Sequence, residues 1–207
     1  MKRTALLSIL LAAVSWACGE APEAPAQETP PAREGVSGRA PATTQGIPSV
    51  VSLRLSSGGP AAAPSEAALL DQLGLAFTPQ QILVRAGQQI DVVNSESLAH
   101  NVHISFIDND STVFIEDMGP AERTQIVLSQ EGGYDVACDV HPGMRAFIYV
   151  TSETHAAFAD PEGIFLIPDV PPGSYTASVW SASAGLRGER TIEVSGPRTE
   201  LDLTTFP

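Results

Sequence analysis

From residue 47 to the C-terminus, apolar positions recur with a period of two, in short runs broken by Gly, Pro, Asn and Asp. SVVSLRL alternates apolar and polar positions, and QQILVRAG, QQIDVVNSE, HNVHISF, STVFIED, RTQIVLS, GGYDVACD and RAFIYVTS follow at short intervals. Alternating runs bounded by turn formers read as half-buried strands. SEAALLDQLG (65–74) differs: it predicts a short helix, opened by Ser65 as the N-cap. Beyond residue 152, AAFADPEGIFLIPDVPPGSYTASVW, RTIEVSG and TELDLTTF predict a further set of strands. So short a block makes a small core by itself, so it is expected to borrow strands. EGVSGRA and PSVVSLRL, near the N-terminus, are the candidates. The pattern as a whole predicts an all-β protein.

The first residues follow another rule. Lys2 and Arg3 precede the apolar run ALLSILLAAVSWA, the layout of an export signal. Residues 1–17 are therefore expected to be a signal peptide. Cys18 follows directly, in SWACGE, which resembles a bacterial lipobox, although Ser15 stands where Leu is usual. In that reading Cys18 is acylated and anchors the chain; the alternative is an ordinary cleaved signal. The expected location is periplasmic or in the cell envelope, lipid-anchored, and otherwise secreted. Residues 18–45, rich in Pro, Ala and Glu without a periodic apolar face, read as a disordered tether. Residues 46–151 are expected to form one domain and 152–207 a second, with N-terminal strands able to join the second.

Charge narrows the partners. Without Lys2 and Arg3 the chain keeps nine basic residues, all Arg, against 24 acidic ones, a formal net charge of −15. Such a surface repels nucleic acid and anionic membranes, so no nucleic acid is expected, and membrane contact only through the anchor. With Cys18 spent on lipid or placed in the tether, Cys138 has no disulfide partner, and a spare thiol outside the cytoplasm needs protection or a use.

CDVHPGM (138–144) offers the use. Cys138, His141 and Met144 lie on one loop, between the strand ending in YDVACD and the strand beginning MRAFIYV, with Pro142 and Gly143 assisting the turn. His100, in LAHNVHI, ends a distant run. A thiolate and two imidazoles in a trigonal set, with a weak axial thioether, suit copper moving between its two oxidation states. Zinc could take Cys and two His, but Met is a poor zinc ligand. His103 falls on the opposite side of a regular strand from His100 and is expected, like His155, to be a surface or packing residue. Met118 in EDMGP reads as loop packing.

AHNV and the C-x-x-H-P-x-M loop resemble the cupredoxins, the family of plastocyanin, amicyanin and pseudoazurin, and the short loop most resembles amicyanin. The resemblance covers roughly residues 67–151. It implies a Greek-key β-sandwich and one type 1 copper per chain, held by His100, Cys138, His141 and Met144. Asn101 would tie the ligand loop by hydrogen bonds, and Pro142 would shape it. A second resemblance lies in FADPEGIFLIPDVPPGSYTASVW, through Asp160, Gly163, Phe165, Pro171, Pro172, Gly173 and Tyr175. It is similar to the carboxypeptidase-regulatory or transthyretin-like β-module, and implies a small Ig-like sandwich packed on the first. The combination resembles bacterial plastocyanin-like proteins of the methylamine-utilisation type.

The expected function is single-electron transfer with a redox partner protein, not enzymic catalysis. Copper oxidases and nitrite reductases carry a His-Cys-His run, and Ala137 and Asp139 flank Cys138 here. There is no nucleophile elbow, phosphate loop or HExxH. The alternatives are copper storage, delivery or oxidase assembly on the same ligands, and a structural β-module that binds without metal.

Overall fold

The computed structural model describes residues 34–205. The signal peptide and Cys18 lie outside the described residues. Among the described residues every regular element is a strand: β1 (Gly35–Arg39), β2 (Val50–Leu55), β3 (Ala68–Gln72), β4 (Phe77–Thr78), β5 (Gln81–Arg85), β6 (Gln89–Asn94), β7 (His100–Phe106), β8 (Ser111–Met118), β9 (Arg123–Val127), β10 (Gly132–Ala137), β11 (Arg145–Thr151), β12 (His155–Phe158), β13 (Ile164–Pro168), β14 (Gly173–Ser181), β15 (Gly185–Val194) and β16 (Arg198–Asp202).

Two sandwiches result. The first sets the sheet β5-β11-β10-β7-β8 against β4-β3-β6-β9, around a core that includes Leu70, Phe77, Ile90, Ile104, Val136 and Ile148. The second sets β12-β2-β14-β15 against β13-β1-β16, around Val36, Leu53, Phe165, Ile167, Tyr175 and Leu203 among others.

Strand β11 explains how they join. Its run RAFIYVT is buried at every position after Arg145. Alternate side chains of a strand face opposite sides. Ala146, Ile148 and Val150 therefore enter the first core, while Phe147 and Tyr149 meet Val50 and Trp180 of the second sandwich in a separate apolar cluster. The Phe147 and Trp180 rings stack with centroids 5.5 Å apart. A Cβ at Gly133 would stand 2.4 Å from the Trp180 ring, so glycine is what lets β10 pass beneath the indole.

Two expectations need correction. The segment read as a helix is β3, parallel to β6. Leu70 and Gln72 are fully buried and Leu69 is 52% exposed, a period of two. β6 already pairs with β9 on one side, and its other edge has open hydrogen-bonding groups that a strand satisfies and a helix does not. The tether cannot extend to residue 45, because β1 lies between β13 and β16 with Val36 fully buried. The domain limit at 46 is crossed by the borrowing expected of PSVVSLRL, since β2 pairs with β12 and β14 and belongs to the second sandwich.

The second sandwich has its own turn chemistry. Asp160 caps the turn before β13, accepting at Oδ1 from the Glu162 and Ile164 amides and at its carbonyl from Gly163. Phe165 and Tyr175 are buried, and the Tyr175 hydroxyl donates to the Pro171 carbonyl at 2.9 Å.

Candidate metal centre

The loop after β10 closes on itself before β11 begins. Cys138 N–H donates to the Met144 carbonyl and Met144 N–H to the His141 carbonyl, both at 3.2 Å. Gly143 sits at φ 106°, a backbone conformation that glycine adopts at little cost. Pro142 and Gly143 form the exposed tip. The β10–β7 ladder places Ala137 opposite His103, so the chain leaving β10 passes the start of β7, where His100 stands.

Three ligand-type side chains converge there. Cys138 Sγ lies 4.0 Å from His100 Nδ1 and 3.9 Å from His141 Nδ1, and the two nitrogens are 3.0 Å apart. The circumradius of a triangle with these sides is about 2.1 Å, close to the roughly 2.0–2.1 Å of imidazole and about 2.3 Å of thiolate bonds to zinc, a first-row metal ion. His100, Cys138 and Met144 are buried, and Met144 shares the first core with Cys138. His141 is only half-buried. The donor set fits a copper ion: soft sulfur, two imidazoles and a thioether in the same core.

A carboxylate absent from the sequence reading orients His100. Glu96 Oε2 lies 2.7 Å from His100 Nε2. Ionised, it can only accept, so the ring hydrogen sits on Nε2 and the Nδ1 lone pair faces Cys138 and His141. Glu96 also accepts from the Gly74 amide at 2.8 Å and the Leu75 amide at 3.2 Å. Burial pushes its carboxyl up, and the Leu75 amide, His100 and the Gly74 amide together bring it below the usual value. Buried Asn94 holds the loop between them, donating to the carbonyls of Leu98 at 2.8 Å and Met118 at 3.1 Å. Glu96 lies on no periodic element, so neither helical nor strand spacing marks it; a carboxylate four residues before a candidate ligand was the available signal.

Asn101 stands where the resemblance expects it. Its N–H donates to Cys138 Sγ at 3.5 Å, and its side chain exchanges two hydrogen bonds with Asp139. Those from Asn101, then those from His103, hold the Asp139 carboxyl below its usual value. His103 meets Asp139 and Thr112 and is not part of the His100, Cys138 and His141 group. His155 lies in the second sandwich, edge-on to Tyr175, and Met118 packs in the first core.

Residues 66–151 match the family of copper-binding proteins of the plastocyanin/azurin type. The matched segment contains all four candidate ligands. Among solved structures, amicyanin from Paracoccus versutus (Thiobacillus versutus) is similar at 25% identity, with 48% of this chain and 97% of that one covered and a TM-score of 0.38. A copper-containing nitrite reductase from Thermus scotoductus is similar at 20% identity over 47% of this chain and 25% of that one, TM-score 0.38. A purple cupredoxin from Nitrosopumilus maritimus is similar at 19%, over 41% and 99%, TM-score 0.36. No curated protein matches the chain.

Proposed function

We propose that the protein is a type 1 copper protein of the cell envelope that passes single electrons. His100, Cys138 and His141 would hold one copper ion in a trigonal set, with Met144 as the weak axial ligand. The observation that carries this reading is the triangle of one sulfur and two nitrogens with sides of 3.0, 3.9 and 4.0 Å. When bound, copper supplies a one-electron couple between Cu(I) and Cu(II).

The chain's own residues make that couple usable. Two paired strands and the Cys138–Met144 backbone bond keep the loop from reorganising. Glu96 fixes the His100 tautomer, a role that outer partners of metal-bound histidines play generally. His141, more exposed than His100, offers its ring edge to a partner. The loops meeting here also expose Leu73, Leu75, Leu98 and Val140, an apolar rim suited to brief docking of a redox protein. The second sandwich, read as a carboxypeptidase-regulatory-like module, would act as a mount. Acylated Cys18 anchors the chain to a membrane.

Addition of Cu(II) to the purified chain tests this. An intense thiolate-to-copper band in the visible should appear at one equivalent and vanish in Cys138→Ser, with a fast, reversible one-electron couple. A colourless wild type at equimolar copper overturns it. A blue site that hands the ion itself to an acceptor protein favours delivery over electron transfer.

A further inference from the structure

One line of side chains runs from the Cys138 sulfur across the sheet to β8. Asn101 donates its N–H to Cys138 Sγ. Asp139 clasps the Asn101 side chain from both ends: Asp139 N–H donates to Asn101 Oδ1 at 2.7 Å, and Asn101 Nδ2 donates to Asp139 Oδ2 at 2.9 Å. The same carboxylate faces His103 Nδ1 at 3.1 and 3.2 Å. His103 Nε2 in turn lies 2.8 Å from the Thr112 hydroxyl.

The ladder makes the line possible. The register shift between Ile104 and Ser105 brings Thr112 opposite Ser105, and so onto the face that carries His103. A carboxylate only accepts, so His103 bears a hydrogen on Nδ1; in the neutral ring Nε2 then accepts from Thr112. Each partner in the line is satisfied without a net positive charge.

We propose that Asp139 and His103 are positioning residues for the Cys138 sulfur: braced on Thr112, they hold Asn101 so that its N–H stays aimed at the thiolate. The proposal rests on the copper reading for its consequence, because hydrogen bonding at the cysteine sulfur tunes the reduction potential of such a site. Asn101 alone could swing with its backbone. Clasped to the residue after Cys138 and tied to β8, it links three segments around the sulfur.

Variants of the full chain separate geometry from charge. His103→Phe removes the donor to Asp139, and His103→Gln restores one through its amide. Asp139→Asn keeps an acceptor oxygen for both neighbours and removes the negative charge. In the metal-free protein, amide hydrogen exchange at Asn101 and Asp139, followed by NMR, should quicken about tenfold in His103→Phe and return towards wild type in His103→Gln. With copper bound, His103→Phe should shift the visible band and the midpoint potential. Asp139→Asn should raise the potential, since removing a nearby negative charge disfavours the more positive ion, while leaving exchange near wild type. Folded His103→Phe with unchanged exchange at both amides overturns the brace. If the wild type forms no blue site, the copper reading fails, and the exchange measurement still decides the brace.

Discussion

Glu96 Oε2 and His100 Nε2 stand 2.7 Å apart, and this contact turns the other ring nitrogen towards Cys138. Partners of this kind are worth about 10–100-fold in metal affinity. Glu96→Ala should weaken copper binding by that factor while leaving the strand content unchanged. Competition titration with a chelator of known affinity, alongside circular dichroism, checks it.

His155, on β12 of the second sandwich, predicts a pH dependence outside the candidate metal loop. Burial, and then the positive charge of Arg85, lower its pKa from 6.5. The unfolded chain therefore takes up this proton at higher pH than the folded one. Its contribution to stability is whole above about pH 6.5 and is lost as pH falls from there through the folded value. Metal-free wild type should lose thermal stability relative to His155→Asn over that window, with no growing difference at higher pH. Parallel melting curves would sink the idea.

The joint between the sandwiches depends on an absent side chain. Gly133→Ala would push a methyl into the Trp180 ring, and overpacking of this kind costs about 1–3 kcal/mol. Urea denaturation should show a lower midpoint, and Trp180 fluorescence should shift as its stacking on Phe147 loosens.

Residue Val36 tests where the folded body begins. Fully buried between β13 and β16, it should cost about 1–3 kcal/mol when cut to Ala. A substitution in a tether would cost nothing, so an unchanged denaturation midpoint would contradict the placement of β1.

Much of the first sandwich was legible because its strands are short, alternating and separated by turn residues, which local pattern alone reveals. SEAALLDQLG misled because its short apolar run has no decisive period until β6 presents an open edge beside it. EGVSGRA reads both as part of the tether and as a candidate borrowed strand, because one buried valine among Gly, Ser and Arg carries little local signal. The candidate ligand loop was legible for a different reason. Cys138, His141 and Met144 lie close in sequence, so their spacing survives without any fold.

By itself, the sequence determined the all-β class, the three candidate ligand types on one loop and His100 as their distant companion. These depend on local periodicity and on chemistry that few residue types supply. Tertiary structure alone decided that Glu96 orients His100, that His103 reaches Asp139, and which strands β1 and β2 pair with in the second sandwich. Each joins segments whose separation along the chain carries no fixed period. Only the paired registers of the folded sheets bring such residues within hydrogen-bonding distance.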